Sequence, residues 1–142
     1  MADVIYNSFK RDIMNGSVDL DTDTIKVALV TSAYVPDQDA HTKKSNITNE
    51  ITGTGYTSGG QALSGKTVAV DNTDNEGVFD ALDTTWTSAS FTAKGAVLYK
   101  SRGGAASADE LIAYIDFGSN KTSTSPGSFV ITWNSEGILN LN

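Results

Sequence analysis

"ITGTGYTSGGQALSGKTVAV", residues 51–70, carries five glycines in its first fifteen positions, and the way they are read decides the fold. A glycine-rich loop that opens a helix cradles phosphate in an α/β nucleotide fold, whereas one that opens a strand belongs to a β protein. The dinucleotide fingerprint needs a strand before the glycines, a helix on the last of them and an acidic residue about 20 positions further on. Here Gly53, Gly55, Gly59 and Gly60 lead to Gly65 and then to "KTVAV". Gly65-Lys66-Thr67 has the letters that end a P-loop, but the residues after it alternate with period two, not 3.6. Without a helix N-terminus there is neither the dipole nor the free amides that hold a phosphate. The glycines are therefore expected to serve backbone geometry, at bends, bulges or turns with positive φ. No nucleotide or other cofactor is expected.

The same period of two runs outward from this stretch. "TIKVALVT" places Ile25, Val27 and Leu29 on one face. "KTVAVDN", "GVFDAL", "SASFTAKGAVLYKS", "ELIAYIDFG", "GSFVITWN" and "GILNL" are likewise short, β-branched or aromatic, and bounded by turn residues. The pattern predicts an antiparallel β-sandwich or barrel of about seven or eight strands, with no helix between strands and hence no βαβ unit. Its buried faces should include Val27, Leu29, Val97, Tyr99, Ile112, Tyr114, Phe129, Ile131 and Trp133. Ile5, Phe9 and Ile13 recur every four residues and Gly16 follows, which predicts a short helix over 4–14. Residues 1–16 read as a helical attachment segment and 17–142 as a single β domain. The stretch 33–57, with Pro36, Asp37, Asp39, His41 and two lysines, is the least strand-like. A loop of that length commonly binds something or packs on a partner, so it is a candidate interaction segment.

Composition narrows the function. A chain of 142 residues with 39% hydrophobic residues is one domain, able to bury about 70% of its unfolded surface. Its net charge of −7 and pI near 4.4 oppose binding to nucleic acid and to anionic membranes, where basic residues supply the affinity. The absence of cysteine removes disulfides, thiolate metal sites and cysteine nucleophiles. The N-terminal residues lack the basic start and apolar run of a secretion signal, which predicts synthesis in a cytoplasm. The Asn-x-Ser/Thr triplets at Asn15, Asn46 and Asn120 then read as chance matches.

Little else in the sequence looks like chemistry. His41 is the single histidine; it sits in a polar stretch, and no Gly-x-Ser-x-Gly elbow accompanies it. Zinc would need three strong ligands. Asp19, Asp21 and Asp23 mimic the start of a calcium loop, but the sixth and twelfth positions are Thr24 and Val30 instead of Gly and Glu. Asp71, Asp74 and Glu76 form a second oxygen-rich group; both groups suit turns equally well. Asp80 with Asp83 is a carboxylate pair that nothing singles out for glycoside cleavage. Trp86, Trp133, Tyr56, Tyr99 and Tyr114 would make either a sugar platform or a core. The chain is expected not to be an enzyme, and no residue is assigned a catalytic, cofactor-binding or metal role.

Taken together, "IKVALVTSAYVPD", "ITGTGYTSGGQALSGKTVAVDN", "FDALDTTWTSASFTAKGAVLYK", "LIAYIDFG" and "FVITWNSEGILNLN" resemble a small structural protein of tailed-bacteriophage virions. The resemblance spans about Thr24 to Leu141. Its most specific elements are Gly53-Thr54-Gly55-Tyr56 with Gly59-Gly60, the strand Ala96-Val97-Leu98-Tyr99, and Asp116-Phe117-Gly118. It implies a non-enzymatic virion component, a head decoration or accessory capsid protein on the major capsid protein, acting as a homo-oligomer. A connector, tail or fibre-base component and a glycan-binding sandwich are the alternatives.

Overall fold

The structure, a computed structural model, describes residues 2–142. Its strands are β1 (Val4–Ile5), β2 (Ile25–Val30), β3 (Gln61–Ala62), β4 (Thr67–Asp71) and β5 (Glu76–Asp80), followed by β6 (Thr84–Trp86), β7 (Phe91–Lys100), β8 (Leu111–Ser123), β9 (Phe129–Ile131) and β10 (Leu139–Leu141). One α-helix, α1 (Asn7–Met14), lies between β1 and β2. The main sheet has the order β1-β8-β7-β2-β3, a smaller one β10-β5-β4, and β6 and β9 form a ribbon. Every pairing is antiparallel. The sheets stay open, so the fold is mainly β and sandwich-like, not a closed barrel.

The seven strands legible in the sequence are present, and three more join them. β1 and β3 are two residues long, too short to show a period of two, and β6, Thr84-Thr85-Trp86, offers only one apolar residue. The helix begins later than expected. Val4 and Ile5 pair with Tyr114 and Ala113 of β8, so sheet pairing claims the two residues that helical periodicity assigned to α1. Tyr6 then stands extended at the N-cap (φ −67°, ψ 140°) with its side chain wholly buried. Gly16, at φ 77°, ends the helix as its position suggests.

Strict alternation suggests one buried face, yet β2 is buried along both. Ile25, Val27 and Leu29 enter the main core with Leu98, Ile112 and Trp86. Ala28 and Val30 face the other way, into a second cluster with Tyr6, Tyr34, Val97 and Tyr114. The cover for this second face comes from the long segment after β2, through Tyr34 and Ile47. Gly95 on β7 leaves the room that the Tyr114 ring occupies; a Cβ there would lie 2.5 Å from it. Of the expected core residues only Trp133 is not fully buried. It lies beyond the end of β9, half-buried, and its indole N–H donates to the Leu82 carbonyl at 3.1 Å.

Candidate functional site

The glycine loop is built around one carboxylate. Glu50 Oε1 accepts the Tyr56 hydroxyl at 2.7 Å and the Gly59 amide at 2.6 Å, while Lys44 Nζ lies 3.1 Å from Oε2. The Tyr56 oxygen accepts the Leu29 amide of β2, and the Tyr99 hydroxyl donates to the Gly59 carbonyl. Lys44 also sits 5.6 Å from the centre of the Tyr99 ring. Burial pushes the Glu50 carboxyl up, but the Tyr56, Gly59 and Lys44 donors outweigh it and hold its pKa below the usual carboxylate value. A general base needs a pKa near the working pH and a free lone pair aimed at substrate. Glu50 has both lone pairs of Oε1 taken and Oε2 engaged by Lys44, and its pKa is moved the wrong way. A hollow of about 180 Å³ opens beside it, but its chemistry is that of a clamp.

Gly60 shows why the loop needs glycine. It has φ 75°, and a Cβ there would lie 1.7 Å from the Val27 carbonyl oxygen. The loop backbone thus lies against β2 where no side chain fits, and β3 starts at the next residue, with Gln61 paired to Val27. Gly65-Lys66 runs directly into β4, so the segment that resembled a P-loop opens a strand.

His41 belongs to the cover over the second core. Its Nδ1 accepts the Asp37 amide at 3.2 Å and lies 3.0 Å from the Tyr34 hydroxyl, which is 2.8 Å from that of Tyr6. No carboxylate or serine completes a triad through these contacts. The stretch 33–57 is bound to its own chain by bridges from Glu50 to Val30, Lys43 to Glu110 and Thr54 to Ser90, leaving Val35 as its large exposed hydrophobic residue.

The acidic groups shape turns. Asp19 Oδ1 accepts the amides of Asp21 and Thr22, Asp23 pairs with Lys100 at 2.8 Å, and Asp21 is exposed. Asp71 Oδ1 accepts the amides of Thr73 and Asp74 in the β4–β5 turn, and the Asn140 side chain bonds Glu76. No cluster of three metal-ligating side chains occurs among the described residues. Asp80 lies on β5, and Asp83 accepts the Trp133 amide at 3.2 Å. The aromatics do not form an exposed platform. Trp86, Tyr99 and Tyr114 are buried and Tyr56 and Trp133 half-buried, and Tyr56, Trp86 and Phe91 pack on one another.

One further opening is apolar. A groove of about 530 Å³ separates α1 from the small sheet. One wall carries Ile5, Phe9, Ile13 and Met14, the other Val68, Phe79, Leu139 and Leu141. Registers explain the second wall: Val68, Phe79 and Leu139 form one row and Val70, Gly77 and Leu141 the next, all on one face. Phe9 and Phe79 are buried, but Met14 is 87% exposed, Val70 76% and Leu141 72%. The helix wall was legible as a four-residue stripe. The sheet wall was missed, although the matching alternation of "KTVAV" and "GILNL" carried its signal.

Comparison with protein-family models, with curated proteins and with solved structures found no match. No helix among the described residues is long and apolar enough to cross a membrane.

Proposed function

We propose that the chain is a non-enzymatic structural protein of a tailed-bacteriophage virion. In this reading it is a head decoration or accessory capsid protein that binds the major capsid protein in symmetric copies. The observation that carries it is the groove between α1 and the small sheet, with Met14, Val70 and Leu141 turned to solvent beside it. A contiguous apolar surface of this kind on an acidic chain fits a protein–protein contact, and symmetry multiplies a contact that is weak in one copy. The motif resemblance supplies the setting, and the engagement of Glu50 by Tyr56, Gly59 and Lys44 supports the non-enzymatic part. A connector, tail or fibre-base role would use the same surface in a ring of fewer copies. A glycan-binding role is less well supported, because the aromatic side chains are spent on the core.

Locating the chain in a reconstruction of the intact particle tests the proposal. Many copies on the head lattice are expected. A single ring at the neck or tail would move the chain to the connector class, and its absence from the particle would overturn the proposal.

A further inference from the structure

We infer that β4 is the self-association edge of this protein, pairing antiparallel with β4 of a second copy about a twofold axis centred on Ala69. The inference deepens the reading above, on which it rests for the idea of symmetric copies.

Sheet edges are normally kept short, or blunted with lysine, proline or a bulge. The main sheet ends in β1 and β3, two residues each, the part of β8 that runs past β1 is broken by a bulge at Gly118 and carries Lys121, and the far edge of the small sheet is β10, three residues. β4 is different. It has five residues, only β5 as neighbour, and no lysine, proline or glycine between Thr67 and Asp71. Its first four residues, Thr67 to Val70, are all exposed, so it presents a row of unpaired backbone groups that another strand would satisfy.

The occupant follows from the strand's own sequence. Thr-Val-Ala-Val-Asp reads polar, valine, alanine, valine, polar in either direction. An interface across a twofold axis must be self-complementary, and antiparallel pairing centred on Ala69 sets Val68 opposite Val70 of the second copy, twice. Charge selects the same direction. Antiparallel pairing puts Asp71 opposite Thr67, whereas parallel pairing in register would stack Asp71 on Asp71, and like charges directly opposite are destabilising. Directly opposed residues share a face, so the exposed valines of both copies would join the apolar rows of the two small sheets into one surface. The product is a six-stranded sheet, β10-β5-β4 continued by its symmetry mate.

The test uses the absence of cysteine from the chain. In full-length A69C the new thiol can form a disulfide only with another molecule, and the proposed axis sets two such thiols face to face, within cross-strand bonding distance. V130C, on exposed β9 positions away from the axis, is the control. Light scattering on the wild type should give twice the 15.0 kDa chain mass. A69C should oxidise to a covalent dimer at least roughly tenfold faster than V130C, because paired thiols react at the effective concentration the dimer sets. A V68K/V70K variant with native circular dichroism should be monomeric. A wild type that associates while A69C oxidises no faster than V130C would overturn the edge and leave symmetric assembly standing. A monomeric wild type overturns the edge as well, and if it also fails to bind particles lacking it, the virion reading falls with it.

Discussion

Glu50 carries more of the loop's order than any other side chain. It receives the Tyr56 hydroxyl, the Gly59 amide and Lys44, and its pKa in the fold lies below the ordinary value of 4.5. A carboxyl depressed by folding contributes stability that is present above its unfolded pKa and lost as pH falls through the folded one. E50Q is therefore expected to be less stable than wild type by about 1.5–3 kcal/mol at pH 7, the scale of hydrogen bonds to a charged group. The gap should narrow as pH drops below 4.5, which urea denaturation at a series of pH values would measure. A gap that stays constant down to pH 3 would assign the loss to packing instead. None of this was legible in the sequence, where Glu50 is one acid in a polar stretch. By contrast, the conformational role of the glycines could be read, because "KTVAV" alternates immediately after Gly65.

At the scale of elements, α1 shows where periodicity stops being sufficient. Ile5, Phe9 and Ile13 are spaced as one stripe, and the helix is present, but the three residues have separate fates. All three border the groove, but Ile5 belongs to a strand, Phe9 is also buried in the chain's own core, and Ile13 is only partly buried against it. The stripe was visible because its spacing is local; its division was not, because β8 lies more than a hundred residues away in sequence. Truncating Phe9 to alanine should cost about 3–5 kcal/mol, as for other buried phenylalanines. Met14→Ala, at a residue 87% exposed, should stay within about 0.5 kcal/mol. Thermal or chemical denaturation of the two variants separates the part of the helix that holds the fold from the part that faces outward. Equal losses would contradict that division. The longer strands were readable for a local reason that β1, β3 and β6 lack: two residues cannot display an alternation, and Thr84-Thr85-Trp86 offers a single apolar residue.

The whole molecule is a mainly β, sandwich-like fold whose central sheet is covered on both faces, once by the small sheet, the ribbon and α1, and once by the segment after β2. That second cover accounts for the long irregular stretch 33–57 as far as Ile47, while Ile51 and Tyr56 turn into the main core, a division that alternation alone could not place. After both faces are closed, most of the large exposed hydrophobic residues (Ile5, Met14, Val68, Val70 and Leu141) lie at the groove beside α1 and along β4. The proposed function depends on something covering it in the particle. The most direct measurement is to add purified full-length protein to phage particles that lack it and follow binding by sedimentation. Saturable uptake of many copies per particle, lost in the folded V68K/V70K variant, is the result expected. No uptake by the wild-type chain, under conditions where the particles themselves are intact, would contradict the account.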